Sequence, residues 1–481
     1  MNEREASLVE HFEVTGLWWD PSTPDAKVHG RLVFDPHDDV IVDLDGRLGN
    51  PRRGLMGHRA WPVVHGETRN EMPCSLVLAE EQATSIGPRM QTSRVRARFC
   101  LLGCRFDSLQ EIEFVSCTAE CSNLTSWLGR RPFDEGIDMV SKAARSYSVS
   151  YHELPDVRFS LPDLGFTLRF SSWFSCGGES HHEAEMRHGE SVIIRPKRKQ
   201  SLRWFLDRLY EFRHLLTLLM MEPSRLEKVQ VQYGSHRVPT IRKMHKDYAT
   251  LLFRQSYNDC AIQDVPEFRI PFRYPSIKTH LKHVLAHWFG HYDRLGSVLG
   301  LFLLPIYNQH LNIEFRFLGL LQALEALHRS TVGGAYMTPD LYQDVRKRFE
   351  SSIPSSVAKD HKNALRSRIK YGYEYSLRKR LTELAEVVTR GTMYKLTDGE
   401  DPKRFLRRVV DTRNFLTHYD ESSRAASMSP REMVKANHSL TLFLMLLILH
   451  EIRVPVDLAL DRLEESGLLR PPHFIDREDL P

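Results

Sequence analysis

The richest concentration of reactive side chains is one short run, Arg413-Asn414-Phe415-Leu416-Thr417-His418, at the end of a segment with the periodicity of an amphipathic helix. A histidine titrates near neutrality, so it can take a proton from a reacting oxygen or return one. An arginine stays charged and grips phosphate oxygens with a planar fork of donors. An asparagine can orient either the imidazole or the phosphate. On RNA, such a set supports attack of the ribose 2′-hydroxyl on its own phosphate, which confines the activity to RNA. That reaction needs no metal and no cofactor, and the run holds no carboxylate cluster to bind a metal.

Spacing qualifies this reading. On an ideal helix Arg413 and His418 stand ~140° apart, whereas Asn414 and His418 are one turn apart on one face. Arg413 and His418 converge only if the helix ends or distorts near Thr417, or if a second subunit supplies part of the site. Tyr419-Asp420-Glu421-Ser422-Ser423 reads as the helix stop. The plain alternative is a helix-end Arg and His that cap carbonyls or pair with Asp411 and Asp420.

A track for a polyanion lies between Lys359 and Arg380. Eight basic residues stand there against Asp360 and Glu374, a net of +6, and Tyr371, Tyr373 and Tyr375 interrupt them. Basic charge follows phosphates and aromatic rings stack on bases. Lys362, Arg366, Arg368, Lys370, Arg378, Lys379 and Arg380 are the candidate RNA contacts. The alternative is a solvated basic helix face. Overall charge is only +4 in 481 residues, too mild by itself to indicate nucleic acid.

The elements that must position these residues are helical. From about residue 311 onward the pattern reads as helix throughout. Asn312 to His328 is apolar on nearly all sides, which predicts a central helix of a bundle. Thr338-Pro339 and Asp401-Pro402 each pair a cap with proline in the first turn, and Ser376 to Arg390 is a further helix. Ser429-Pro430-Arg431-Glu432 is a capping box opening a helix that runs to about Arg453. Short connections imply an antiparallel bundle.

The first 195 residues read differently. Short β-branched or alternating runs at Lys27–Phe34, Val40–Leu44, Ser75–Leu78, Val95–Leu102, Ile112–Val115, Tyr147–Tyr151 and Phe166–Phe170 are punctuated by Gly, Pro, Asp and Asn. They predict a sandwich or barrel-like sheet. The Trp18-Trp19 pair is expected to split, one ring in the core and one capping it, with an exposed ligand platform as the alternative. Arg195 to Lys199 forms a basic hinge. Ser201–Met221 and Ser276–Leu304 are expected helices, and Lys228–Tyr233 a strand. The expected organisation is α+β and multidomain: a β-rich domain over 1–195, a mostly helical connecting segment over 196–305, a helical bundle over 306–470 and an extended tail over 471–481.

Seven cysteines without an export signal imply reduced thiols. Cys100/Cys104 and Cys117/Cys121 have C-x3-C spacing, wider than the usual zinc knuckle, and read as small core residues. His181-His182-Glu183 is a weak metal candidate that reads better as a solvated loop. The longest apolar run, Leu440 to Leu449, is too short for a membrane span and predicts a buried helix. A cytoplasmic protein with no membrane contact is expected.

The segment Val409-Val410-Asp411-Thr412-Arg413-Asn414-Phe415-Leu416-Thr417-His418-Tyr419 resembles the R-N-x-x-x-H signature of HEPN domains, small helical bundles of which many are metal-independent ribonucleases. Phe317 to Arg329 resembles the first bundle helix of one branch, the C-terminal domain of ApeA-like anti-phage defence proteins. Gly16-Leu17-Trp18-Trp19-Asp20-Pro21, Val28 to Phe34, and Phe106-Asp107-Ser108 through Ser126-Trp127-Leu128-Gly129 resemble the β-rich N-terminal domain of the same proteins. The resemblance implies that Arg413 and His418 are catalytic, that Asn414 supports them, and that two copies dimerise so that both motifs face one cleft. Glu325 either faces that site or pairs with Arg329 one turn on. It further implies an endoribonuclease acting in anti-phage defence by abortive infection, held back until a phage-derived trigger reaches the N-terminal domain. The alternatives are a non-catalytic RNA-binding or dimerisation scaffold, and a metal-dependent hydrolase built on His181-His182-Glu183.

Overall fold

The computed structural model describes residues 3–49, 59–86, 91–140, 143–178, 182–234, 247–255, 262–418 and 424–471. They fall into two compact units, Met1–Phe289 and Gly290–Pro481.

In the first unit, Val40, Val42 and Leu44 of one strand are buried while Ile41 and Asp43 between them are half-open, the period of a strand with one face on a core. Six such strands, β1 (Phe12–Trp19), β2 (Val28–Phe34), β3 (Val40–Leu44), β4 (Ala60–Thr68), β5 (Pro73–Ile86) and β6 (Gln91–Leu102), pair antiparallel in the order β6-β3-β2-β1-β4-β5. β5 also pairs β6 and closes these six strands into a barrel, leaving β5 without an open edge. Trp18 is fully buried inside it, its Nε1 donating to the Gly30 carbonyl at 3.4 Å. Gly66 gives its ring room, since a Cβ there would lie 2.3 Å from the indole. Trp19 is also buried, edge-on to His65, with Lys27 and Arg105 over its face. Neither ring is an exposed platform.

β6 also carries the sheet onward. Its end pairs β16 (Tyr248–Leu252), and the sheet continues through β15 (Leu226–Gln232), β8 (Ser116–Cys121), β13 (Glu185–Pro196) and β12 (Phe166–Gly177) to β11 (Val157–Leu161). Two separate ribbons pair β7 (Glu113–Phe114) with β14 (Gln200–Ser201) and β9 (Phe133–Val140) with β10 (Ala143–Tyr151). Helix α2 (Leu202–Met220), capped by Ser201, packs Phe212 on Phe170 of the sheet extension. The domain boundary expected at residue 195 therefore moves to 289. β15 and β16, inside the supposed connecting segment, are central strands of the sheet, and the supposed basic hinge joins β13 to α2 through the two residues of β14. Two intervening strands separate Cys117 and Cys121 on β8 from Cys100 on β6 by about 14 Å, too far for one tetrahedral ion. Cys100, Cys104, Cys117 and Cys121 are buried, and burial pushes their thiols up. His181 lies outside the described residues, and His182 and Glu183 are exposed.

Two short helices, α1 (Leu124–Leu128) and α3 (Tyr274–Ile277), complete the first unit, and α4 (Leu281–Tyr307) spans the division. The second unit continues with α5 (Ile313–Thr331), α6 (Pro339–Ser351), α7 (Lys359–Lys370), α8 (Leu377–Val387), α9 (Arg390–Leu396), α10 (Pro402–His418), α11 (Pro430–Glu451) and α12 (Val456–Glu465). Asn312, Thr338, Ser376 and Ser429 each cap the helix they precede, and Glu432 closes the capping box. Among the described residues α11 alone is long and apolar enough to cross a membrane, and it is mostly buried within the protein. It packs along α5, which also meets α8 and α10. α5 is less enclosed than its sequence predicts: Phe317, Leu320, Leu321, Leu324 and Leu327 are buried, but Phe315 is 69% exposed and Gln322 is open.

Candidate active site

α10 begins where Asp401 Oδ1 accepts from the Lys403 and Arg404 amides, contacts that hold its carboxyl below the usual range. Phe405, Leu406, Val409, Val410 and Leu416 turn into the bundle. Thr412 is also buried and anchors the chain that returns after the helix. Its hydroxyl donates to the Arg408 carbonyl and accepts from the Met428 amide at 2.9 Å. Arg408 bridges Glu400 and Glu432.

The helix runs through His418. Arg413 and His418 therefore stay on different faces, as on an ideal helix. Arg413 is half-buried and donates to the Asn414 side-chain oxygen at 3.3 Å, while Asn414, Thr417 and His418 are exposed. Arg413 and Thr417 line a groove of about 310 Å³ with Leu318, Leu321, Gln322 and Glu325 of α5 and Leu377 of α8. Glu325 accepts from Arg329 one turn on at 3.1 Å, the pairing expected as one alternative, and it also lines this groove. Asp411 pairs with Arg378 at 3.5 Å. Tyr419 and Asp420 lie outside the described residues.

The basic stretch divides. Arg366, Arg368 and Lys370 on α7 are exposed, and Lys362 is half-buried. Arg378 and Lys379 have carboxylate partners, Asp411 and Glu383. Arg380 departs from expectation: it is 1% exposed, so it cannot contact RNA. Its guanidinium donates to His328 Nδ1 and to the carbonyls of Gly333 and Tyr375. Of the tyrosines only Tyr371 is well exposed, while Tyr373 packs on Tyr342, and Tyr375 on Tyr336 and His328.

His328 is not singled out by the sequence reading. It is fully buried at the α5–α8 contact, its Nδ1 facing Arg380 and its Nε2 2.7 Å from Glu383. Because Arg380 can only donate, the network assigns the ring proton to Nε2, which donates to Glu383. That bond lowers the Glu383 carboxyl. Arg329 ties Glu325 to Glu374 at 2.8 Å, so the groove wall is continuous with this lattice of charge.

Residues 13–288 match the family model ApeA N-terminal domain 1, and residues 318–458 match Apea-like HEPN. The chain belongs to the ApeA-like family. Both domains of an ApeA-like two-domain protein are present, in order, and the first match ends beside the division between the compact units. The Apea-like HEPN match takes in Glu325, the basic stretch, Arg413 and His418. Membership associates the protein with antiviral defence and an RNase-like fold. No curated protein and no solved structure matches the chain.

Proposed function

We propose that this ApeA-like protein is a metal-independent endoribonuclease acting in anti-phage defence by abortive infection. The observation that carries the reading is the last turn and a half of α10. A half-buried arginine lines a groove there and an exposed Asn–His pair stands on the adjoining face, within a domain of a generally RNase fold. His418 takes the proton from the 2′-hydroxyl as O2′ bonds to phosphorus. The P–O5′ bond breaks, and the departing oxygen takes up a proton, leaving a 2′,3′-cyclic phosphate and a 5′-hydroxyl. Arg413 neutralises the non-bridging oxygens, and Asn414 orients one of the two. A homodimer through the helical domain brings the two faces to one cleft, RNA follows the exposed cations, and the β-rich unit senses a phage-derived trigger in the cytoplasm.

The test is cleavage of single-stranded RNA by the activated protein, scored by cyclic-phosphate ends. Loss of general acid–base catalysis in His418→Ala is expected to slow cleavage by about 10²–10⁴. Unchanged cleavage removes the assignment. RNA binding without any cyclic-phosphate product from the wild type favours a binding scaffold instead.

A further inference from the structure

We propose that the exposed face of α10 is itself a phosphate-binding track, with Lys403 and Arg407 as its cations, leading the RNA strand away from the reacting phosphate; this rests on the ribonuclease reading above. The helical period puts Lys403, Arg407, Asn414 and His418 on one stripe, within about 60° of each other over a rise of about 22 Å. All four are exposed. The two cations differ from their neighbours in being uncommitted. Arg404 pairs with Glu400 at 3.7 Å, Arg408 with Glu400 and Glu432, and Arg378 with Asp411. Among the described residues, no carboxylate stands within ion-pair distance of Lys403 or Arg407. A paired cation must surrender its partner to neutralise a phosphate, whereas an unpaired one releases only counterions. The acid beside the stripe, Asp411, is engaged by Arg378.

Placement matters as much as charge. Arg366 and Arg368 of the basic stretch sit on a different helix, α7, and Arg378 on α8. Lys403 and Arg407 share one rigid helix with His418, so their spacing from it is fixed: Arg407 is about 10 Å along the axis from Asn414 and about 16 Å from His418. These distances reach phosphates several nucleotides along a strand whose scissile bond lies at His418. They select an extended single strand rather than a lone nucleotide.

Full-length protein carrying His418→Ala is titrated with a labelled single-stranded RNA oligonucleotide over a salt series, with and without Lys403→Ala/Arg407→Ala. The double substitution is expected to weaken binding and flatten the slope of log K against log salt by about 1.4, or 0.7 for each phosphate that the protein no longer neutralises. Arg407→Lys, which keeps the charge, is expected to retain the parent slope. An unchanged slope in the double variant overturns the track. Wild-type cleavage is scored in parallel. A flattened slope with no cleavage leaves the track and removes the ribonuclease. Cleavage that His418→Ala abolishes, with an unchanged slope, leaves the ribonuclease and removes the track.

Discussion

Replacing Arg380 by methionine separates a structural cation from a substrate-binding one. By composition Arg380 belongs with the basic stretch, but it is buried and spends its donors on His328, Gly333 and Tyr375. Methionine fills much of its volume and supplies no donor, so two carbonyls and an imidazole nitrogen lose their partner. Each unsatisfied buried group costs about 1–3 kcal/mol. Glu374, 3.8 Å away, also loses a counter-charge. Removing one member of a buried charged network costs about 3–5 kcal/mol, and we expect that total because some acceptors will find water. For a unit of this size the midpoint falls about 2–4 °C per kcal/mol, on the order of 10 °C in all. Arg366→Met, on exposed α7, is expected to stay within about 0.5 kcal/mol. Thermal unfolding followed by circular dichroism reads both, with RNA binding measured below the transition. An Arg380→Met protein that melts with the wild type but has lost RNA binding would refute the structural assignment and return Arg380 to the substrate track.

In the barrel, Gly66→Ala drives a methyl into the Trp18 ring; overpacking of this kind costs about 1–3 kcal/mol, read as a lower denaturation midpoint. Ser429→Ala removes half of the α11 capping box and should cost about 1 kcal/mol, measured by urea unfolding. The same box sets an acid dependence. Bonds from the Ser429 amide and hydroxyl, with Arg408 nearby, hold the Glu432 carboxyl below its ordinary 4.5. A carboxyl whose folded value is depressed stabilises fully above its unfolded value and loses that contribution as pH falls through the folded one. Stability of the wild type should therefore drop more steeply below pH 4.5 than that of Glu432→Gln, and parallel acid profiles would contradict this.

Local chemistry made the helices legible. Asn312, Thr338, Ser376, Asp401 and Ser429 announce helix starts because the acceptor and the amides it serves lie within three residues. Pairing across the chain is not local. β15 and β16 are short runs far in sequence from β8 and β6, which they join, so neither the sheet's extent nor the end of the first unit at 289 could be read from periodicity. The same limit governs the basic stretch. Arg378, Lys379 and Arg380 are consecutive, yet helix rotation leaves the first two at the surface and turns the third into the bundle. Its destination depends on His328, some fifty residues earlier. The Arg413–His418 spacing was legible, but the groove that gives Arg413 a wall needed α5 and α8 in place.

The ~140° between Arg413 and His418 makes a quantitative demand on the proposed dimer. Because α10 continues through His418, no break in the helix folds the imidazole back toward the guanidinium of the same chain. If the reacting phosphate needs both groups, each must come from a different copy, and a twofold arrangement then makes two such sites. Arg413→Ala and His418→Ala proteins, each inactive alone, should complement when mixed. Random pairing makes half the dimers mixed, and each mixed dimer has one intact site of two, so about one quarter of wild-type cleavage is expected. Sites drawing both groups from one chain recover nothing. Failure to complement, under conditions where the two proteins demonstrably exchange subunits, would place both groups within one chain and require α10 to unwind at Thr417 when RNA binds.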